Sequence, residues 1–543
     1  MSLIVTKLEE ARKFCSMGQL GKAETVCLEE IAELHEILGY IYQQTGRHEQ
    51  AIESCKTSIL LQPSISGNYL TLCRSYRSKE EYDLAFSAIK KGFNLLPDSA
   101  DHCINYLELT EKIYGIDAAV ALYSDQFNKN MQEDPQIKKL YIELLFETGQ
   151  FKEKIQAIDQ HQNEYREYKI VSVTEWVQEK KIPFLSVGTI NEIPISSPPV
   201  FNASGYSPAS HTLTTHSVSP YVIELSNATI FSGSSIILTG DNTVFNDSAT
   251  HPQFGADVSF QHDKTVIARK NNRILMNHAQ YELEHIEKGI YLSGSVTDAF
   301  GHWVPEYLGK LLFYEKHPEF SRLPIIVDAS MPTSHFDYLK CLVPNKLIRM
   351  PQNMSYSVSR LLVAPTPTFY PVHLIKDHKV SHKDTGPLSP QVLSYLKNKV
   401  LKNISSKKRF GPKLYLSRRH MKWRRLLNDT EIAAILSRKG FEIVFVEELS
   451  FAEQVDMFMY AESIVAPNGS SLLNTIFANT NVKIYMLSQP DLFNWGGFYG
   501  PMQSIGYKNI LAVTGDTILK EKQVDYVVPV ERLQQAMAYW DNK

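Results

Sequence analysis

The sequence predicts an α/β protein of two strand–helix halves facing across a cleft, preceded by an all-α helical repeat and a β-rich connector. Three observations carry that prediction. Identical residues recur at a spacing of 34 within the first 160 positions. Short β-type runs separated by turns fill the stretch from about residue 165 to residue 245. From about residue 289, strand-like runs alternate with amphipathic helical runs, the pattern of parallel sheets covered by helices.

The repeat comes first. Leu38, Tyr42, Ala51 and Pro63 return as Leu72, Tyr76, Ala85 and Pro97, each 34 residues on. Gly46 falls in the turn between two helical patterns, and Gly115 and Gly149 are again 34 apart. A helix–turn–helix of this period, with Leu38-Gly39-x-x-Tyr42, Ala51 and Pro63, resembles the tetratricopeptide repeat (TPR). The small residues Gly39 and Ala51 let paired helices approach, the tyrosines fill the gap between repeats, and Pro63 stops the second helix. About four units fit residues 1–162, the first and last degenerate as capping repeats. Such a solenoid docks a protein partner or self-associates and performs no chemistry.

Composition excludes other classes. The chain has 543 residues, with 56 Lys+Arg against 59 Asp+Glu, a formal net charge of −3. Near-neutrality argues against nucleic acid as the main partner, which needs a large basic field. With 43% hydrophobic and 21% charged residues the chain can bury several cores. No apolar run approaches the ~18–20 residues that span a bilayer. The start, MSLIVTKLEEARKFC, does not read as a signal peptide. The six cysteines form no CxxC pair and read as buried free thiols in a reducing compartment. Asn202-Ala-Ser204 and Asn227-Ala-Thr229 therefore read as chance triplets. The expected location is the cytoplasm, with a place at the inner face of the membrane left open.

Beyond the repeat, residues 163–400 read as a β-rich connector joined to a first Rossmann-like half, and residues 401–543 as a second. Tyr168–Val173, Phe184–Val187, Tyr221–Leu225, Thr229–Phe231, Ser235–Leu238 and Thr243–Phe245 read as strands. Ser196–Pro220, rich in Ser, Pro, Thr and His, reads as an extended surface loop. In the first half, Gly289–Ser293 and Leu323–Val327 read as strands; His302–Lys316, Ser334–Leu342 and Ser389–Lys402 read as helices. In the second, Lys413–Leu416, Phe441–Val446, Ser463–Ala466 and Val482–Leu487 read as strands. They alternate with helices at Asp429–Arg438, after the Ser450-x-x-Glu453 capping box, and at Ser470–Ala478. A cleft between two such halves is the expected ligand site.

Three places carry chemistry. Pro467-Asn468-Gly469-Ser470-Ser471 lies between a strand and a helix, where unpaired N–H groups bind anions and Gly469 permits close approach. Asn474 lies one turn on. Leu401–Arg425 holds ten Lys/Arg and no Asp or Glu; Arg418, Arg419, Arg424 and Arg425 suit a diphosphate. Gly301-His302-Trp303-x-x-Glu306 places an imidazole and a carboxylate on one helix face, a pair able to act as general base. Other chemistries lack support. There is no D-x-D, no G-x-S-x-G and no G-x-x-x-x-G-K-[ST]. His373, His378 and His382 form a run without a matching carboxylate motif and read as a loop or surface patch.

The ordered set Leu414-Tyr-Leu-Ser-Arg-Arg419, Arg424-Arg425-Leu-Leu-Asn428-Asp429, Gly440-Phe441, Glu447-x-Leu449-Ser450, Glu453-Gln454 and Asn468-Gly469-Ser470-Ser471-x-x-Asn474 resembles glycosyltransferase family 61. So does Gly301-His302-Trp303-x-x-Glu306-x-Leu308. The resemblance spans roughly residues 170–540 and is strongest over 413–490. It implies a GT-B fold, two facing Rossmann-like domains, and inverting, metal-independent transfer from a nucleotide sugar, with no cofactor. The family usually has His where this chain has Asn468, and small residues where it has Ser470-Ser471. Joined to this resemblance, the donor diphosphate belongs on the Gly469–Ser471 amides with Arg418, Arg419 or Arg425. Asn428, Glu447, Gln454, Asn468 and Asn474 complete the donor site. His302, alternatively Glu306 or Asp298, deprotonates the acceptor hydroxyl. The implied product is a surface glycan. A protein O-glycosyltransferase whose repeat recruits a polypeptide is the alternative enzyme, and a scaffold with a decayed transferase half the non-enzyme alternative.

Overall fold

The computed structural model describes residues 2–153, 165–182, 184–209, 212–251, 255, 258, 260, 262–277, 281–368, 387–405, 407–420, 425–489, 496–517 and 525–541. The chain divides into two units, Met1–Gln162 and Asn163–Lys543. His373, His378, His382, Trp423 and Arg424 lie outside the described residues.

The first unit is helical: α1 (Ser2–Ser16), α2 (Leu20–Gln44), α3 (His48–Leu61), α4 (Ser66–Ser78), α5 (Tyr82–Leu95), α6 (Ala100–Tyr114), α7 (Ile116–Gln126), α8 (Lys129–Glu133) and α9 (Pro135–Thr148). Helices pack in pairs, α2 on α3, α4 on α5 and α6 on α7. A Cβ at Gly39 would stand 2.6 Å from Cys55 Sγ, so the α2–α3 contact needs a glycine there. Pro63 and Pro97 follow the ends of α3 and α5. Their carbonyls accept from Tyr69 Oη (3.0 Å) and Cys103 Sγ (3.4 Å), donors that are themselves 34 residues apart. The sequence period is thus also a period of hydrogen bonds. Cys55, Cys73 and Cys103 are buried, and burial pushes their thiols up to about 12. Cys27 and Cys341 are only half-buried and Cys15 is exposed, which corrects the expectation that all six are interior.

In the second unit, β1 (Tyr165–Ile170) leads into α10 (Val173–Lys180), opened by a Ser172–Glu175 capping box. Then come β2 (Leu185–Ser186), β3 (Glu192–Ser196), β4 (Val200–Asn202), β5 (Gly205–Ser207) and β6 (Thr212–His216). β2 lies in the strand expected over Phe184–Val187, whereas β4, β5 and β6 occupy the expected surface loop Ser196–Pro220, and that correction has a cause. Thr212–His216 is β-prone and pairs with β3, while Val200 and Phe201 pair with Ala512 and Val513, burying Phe201. Long-range pairing of this kind leaves no local signature.

The chain continues through β7 (Tyr221–Phe231), β8 (Ile237–Leu238), β9 (Thr243–Phe245), β10 (Val266–Lys270), β11 (Arg273–Asn277), β12 (Glu282–Tyr291), β13 (Ile325–Asp328), β14 (Leu347–Met350) and β15 (Met354–Val363). With β1 and β2 these form an eleven-stranded mixed sheet, ordered β10-β11-β1-β9-β8-β7-β15-β12-β13-β14, β2 lying beside β7. Its β15-β12-β13-β14 portion is parallel. Helices α11 (Thr333–Leu342) and α12 (Pro390–Asn403) accompany it.

The remaining elements include β16 (Lys413–Leu416), α13 (Asp429–Arg438), β17 (Glu442–Val444), α14 (Phe451–Met459), β18 (Ser463–Pro467), a 3-10 helix Ser470–Phe477, β19 (Lys483–Ser488), α15 (Gly496–Ser504), β20 (Ile510–Thr514) and α16 (Val530–Asp541). The strands run parallel in the order β17-β16-β18-β19-β20, with β4 and β5 added at the β20 edge. Numbered within this half the order is 2-1-3-4-5, the doubly wound arrangement. Alternation along the strands divides the burial. Leu414, Ile464 and Ile484 face one core with Phe451 and Phe477, while Tyr415, Val465 and Tyr485 face another with Ile432 and Leu533. The first core is shared with the mixed sheet: Tyr338 of α11 stacks on Phe451 at 4.1 Å between centroids.

The expected helix His302–Lys316 is broken into pieces. Phe300–His302 is one α-turn, Trp303–Tyr307 a π-turn, Leu308–Lys310 a 3-10 turn and Leu311–Tyr314 α-helix again. Pro305 has no N–H to donate, and the backbone widens so that Leu308 N–H donates to Trp303 O.

Candidate active site

In a 2-1-3-4-5 sheet the strand order reverses between the first and third strands, and a ligand binds outside their carboxyl ends. Here those strands are β16 and β18. Ser417-Arg418 leaves the first and Asn468-Gly469 leaves the second. Arg418 Nη1 donates to Asn468 O at 3.3 Å, and a Cβ on Gly469 would collide with the same guanidinium. The glycine is required by the arginine, since its φ of −178° is ordinary extended backbone. The first turn of the 3-10 helix then leaves the N–H groups of Ser470 and Ser471 without acceptors inside the helix.

Buried amides surround this point. Asn468 is 3% exposed, and neither of its amide atoms has a hydrogen-bond partner among the described residues. Asn474 donates to Gln454 Oε1 at 2.9 Å, yet its own side-chain oxygen has no partner among the described residues. Gln489 follows the end of β19, beside β18 in the sheet, and is 1% exposed, with neither amide atom partnered among the described residues. Buried amides left in this state cost stability. Asn468 and Gln489 stand at the carboxyl ends of the neighbouring strands β18 and β19, the end of such a sheet at which ligands bind. Gln489 escaped the sequence reading; its signal is its place directly after a strand end.

The His302 segment meets the same turn. A Cβ on Gly301 would stand 3.3 Å from Ser470 Cβ, so the two glycine-bearing turns, distant in sequence, adjoin. His302 Nδ1 lies 3.0 Å from Glu306 Oε1, with their side chains 22% and 11% exposed. Nδ1–H donating to the carboxylate makes Nε2 the proton-accepting nitrogen. The approach to His302 is fixed by Asp328 at the end of β13. Its carboxyl accepts from Gly233 N–H (2.9 Å), Gly294 N–H (3.0 Å), Ser293 Oγ (2.7 Å) and Thr297 Oγ1 (2.7 Å). Burial pushes that carboxyl above its ordinary value while the four donors pull it back. His335, whose pKa burial lowers, bonds Thr297 O at 3.0 Å and stacks on Trp303.

Other expected residues take other places. Arg419 bonds Asp429, which is buried and also accepts from Tyr415 Oη at 2.6 Å and Ser417 Oγ at 2.9 Å. Arg425 is paired with Asp525 at the surface. Asn428 exchanges hydrogen bonds with the Val528 backbone. Glu447 stands 3.7 Å from His420. Gln454 donates to Val446 O and Leu449 O, both at 3.1 Å. Asp298 is exposed in the turn before His302. The structure thus gathers Arg418, Asn468, Gly469, Ser470, Gly301, His302 and Glu306.

Two family models match parts of the chain. A family model described as Glycosyltransferase 61 matches residues 300–485, and one described as a Tetratricopeptide repeat matches residues 32–65. The first match opens at Phe300, one residue before Gly301, and closes inside β19, so it spans both turns. It supports a glycosyltransferase; the second supports protein interaction through the helical unit. No curated protein matches the chain. Among the described residues no helix is long and apolar enough to cross a membrane.

Proposed function

We propose that the second unit transfers a sugar, with inversion and without a metal, from a nucleotide-sugar donor to a hydroxyl of a glycan acceptor. The observation that carries this reading is the meeting of Gly301 with Ser470 at the switch point, which sets a histidine–carboxylate pair beside an anion-binding turn. In this reading the donor diphosphate lies on the Ser470 and Ser471 amides, with Arg418 as its fixed cation. The acceptor oxygen attacks the anomeric carbon as the bond to the diphosphate breaks, and the electron pair leaves with the diphosphate. His302 takes the acceptor proton, and Glu306 steadies the resulting imidazolium. Charge on the leaving group is offset by Arg418 and backbone N–H groups. Asn468, Asn474 and Gln489 face the rest of the donor. The GT-B arrangement of two facing domains belongs to this reading, and the product is a surface polysaccharide. The TPR-like unit docks a partner or a second copy, in the cytoplasm, where the six free cysteines stay reduced.

The test is direct. A panel of nucleotide sugars is screened by thermal shift, because a ligand stabilises by RT ln(1 + [L]/Kd). At least one should raise the melting temperature and be turned over, with His302→Ala lowering kcat about 100-fold or more at unchanged donor affinity. Full turnover in His302→Ala, or no nucleotide sugar bound, would overturn the reading.

A further inference from the structure

The helical unit keeps its 34-residue period in sequence but breaks it in burial. Leu34, Ile37, Leu38 and Ile41 on α2 correspond to Asn68, Thr71, Leu72 and Ser75 on α4, and to His102, Asn105, Tyr106 and Leu109 on α6. On α4 and α6 each of these residues is at most 7% exposed, whereas on α2 all four are 38 to 52% exposed. A face that is buried between repeats elsewhere is therefore left uncovered on α2 among the described residues, and it is more apolar there than on α4.

The cause is a missing break. Pro63 and Pro97 follow α3 and α5, so each helix folds back on the next, α3 on α4 and α5 on α6. The position 34 residues before Pro63 is Glu29, and α2 runs unbroken from Leu20 to Gln44. Its first half has the place in sequence of a covering helix, but it is continuous with the half it should cover. Met17, just before α2, and Leu20 and Ile31 on that first half are exposed as well.

We infer that the uncovered face is closed by a second copy of this chain, the first half of each α2 lying across the second half of the other. A two-fold pair is reciprocal, so both faces are closed at once. The α3–α4 contact supplies the register. Asn68 Nδ2 donates to Ser58 Oγ at 2.8 Å; 34 residues earlier these positions are Leu34 and Glu24. Antiparallel helices in that register set the partner's Leu20 on Leu38, the partner's Met17 on Ile41 and the partner's Cys27 on Ile31. The partner's Glu24 arrives beside His35, which can donate to it. The apolar side chains of this face expose on the order of 600 Å² per copy, so a pair buries about 1,200 Å², the size at which specific interfaces begin. Such a dimer narrows the docking role proposed for the helical unit to one surface and one occupant, and it is independent of the transferase chemistry.

Analytical ultracentrifugation of the full-length chain at micromolar concentration should give twice the chain mass. Leu20→Glu and Ile41→Glu, both at exposed positions, should each raise the dimer dissociation constant at least tenfold with unchanged circular dichroism. Ile31→Cys under mild oxidation should form an intermolecular disulfide to the partner's Cys27, mapped by peptide mass and abolished by adding Cys27→Ser. A monomeric wild-type chain overturns the dimer and leaves the helical unit to a different partner. A dimer that neither glutamate variant weakens, or an introduced thiol that bonds only its own counterpart in the partner, overturns it as well. Sugar transfer measured on the same samples keeps the two readings apart: a monomer that transfers sugar strikes only the dimer, and a dimer without transfer strikes only the transferase reading.

Discussion

Gly469 lies so close to Arg418 that no side chain fits between them. The guanidinium is the tip of a flexible chain, so an added methyl can displace it at small cost to folding. Its cost falls on the site instead, because Arg418 can no longer reach the Asn468 carbonyl or a ligand on the same turn. Gly469→Ala should therefore leave the melting temperature within a degree or two and weaken nucleoside-diphosphate binding at least tenfold. Calorimetric titration beside a thermal melt checks both halves. An affinity equal to wild type would show that Arg418 does not serve the ligand.

Two neighbouring arginines should separate cleanly. Arg419 is 41% exposed and bonded to Asp429, which is 5% exposed and holds Tyr415 and Ser417 as well. Its loss removes a charge-assisted bond from a buried carboxylate, worth about 1–2 kcal/mol at a partly solvated site. Arg419→Gln should melt a few degrees lower and bind nucleotide within threefold of wild type. Arg418→Gln should show the opposite: a nearly unchanged melt and a large loss of affinity. Equal affinity losses in the two would mean that Arg419 leaves Asp429 when ligand arrives.

Glu306→Gln separates charge from geometry. The amide oxygen still accepts from His302 Nδ1 across the present 3.0 Å. What disappears is the negative charge that steadies the imidazolium as the proton transfers. Turnover should drop by about 10- to 100-fold, as removal of acid–base assistance does, with the donor KM unchanged. A raised KM with normal kcat would make Glu306 a binding residue.

Legibility in the sequence followed locality. Lys413–Leu416 and Asp429–Arg438 have the limits that their own residues suggest, and the Ser450–Glu453 capping box forms as written. Each depends on residues a few positions apart. The 34-residue period was equally legible because each repeat contacts mainly its neighbours. Position 305 shows the opposite: the 3.6-residue pattern was right, but one proline changed the winding without changing the pattern. Ser196–Pro220 failed for a third reason, since Phe201 becomes a strand residue only when Val513 is beside it. In the site, Gly469 and Arg418 were legible as residue types, whereas the diversion of Arg419 to Asp429 is a matter of which side chain arrives first. Gln489 carried no motif, because a buried amide without a partner among the described residues is visible only once its surroundings are folded.

Glu143 on α9 gives the helical unit a pH dependence. Burial is the main cause pushing its carboxyl up to about 7; Lys139 opposes the shift, and Glu147, Glu111 and Glu108 add to it. Unfolded, the same group titrates near the ordinary glutamate value of about 4.3. Between these values the unfolded chain has released a proton that the folded chain still holds, so stability falls as pH rises through the window. It is fully present below the lower value and gone above the upper one. Glu143→Gln should remove this dependence: close to wild type at pH 5, and progressively more stable than wild type up to pH 8. Amide hydrogen exchange of α9, compared between variant and wild type at each pH, measures the difference locally and cancels the intrinsic pH effect. A gap that stays constant from pH 5 to pH 8 would mean that Glu143 is already ionised throughout, its charge met by Lys139 4.0 Å away.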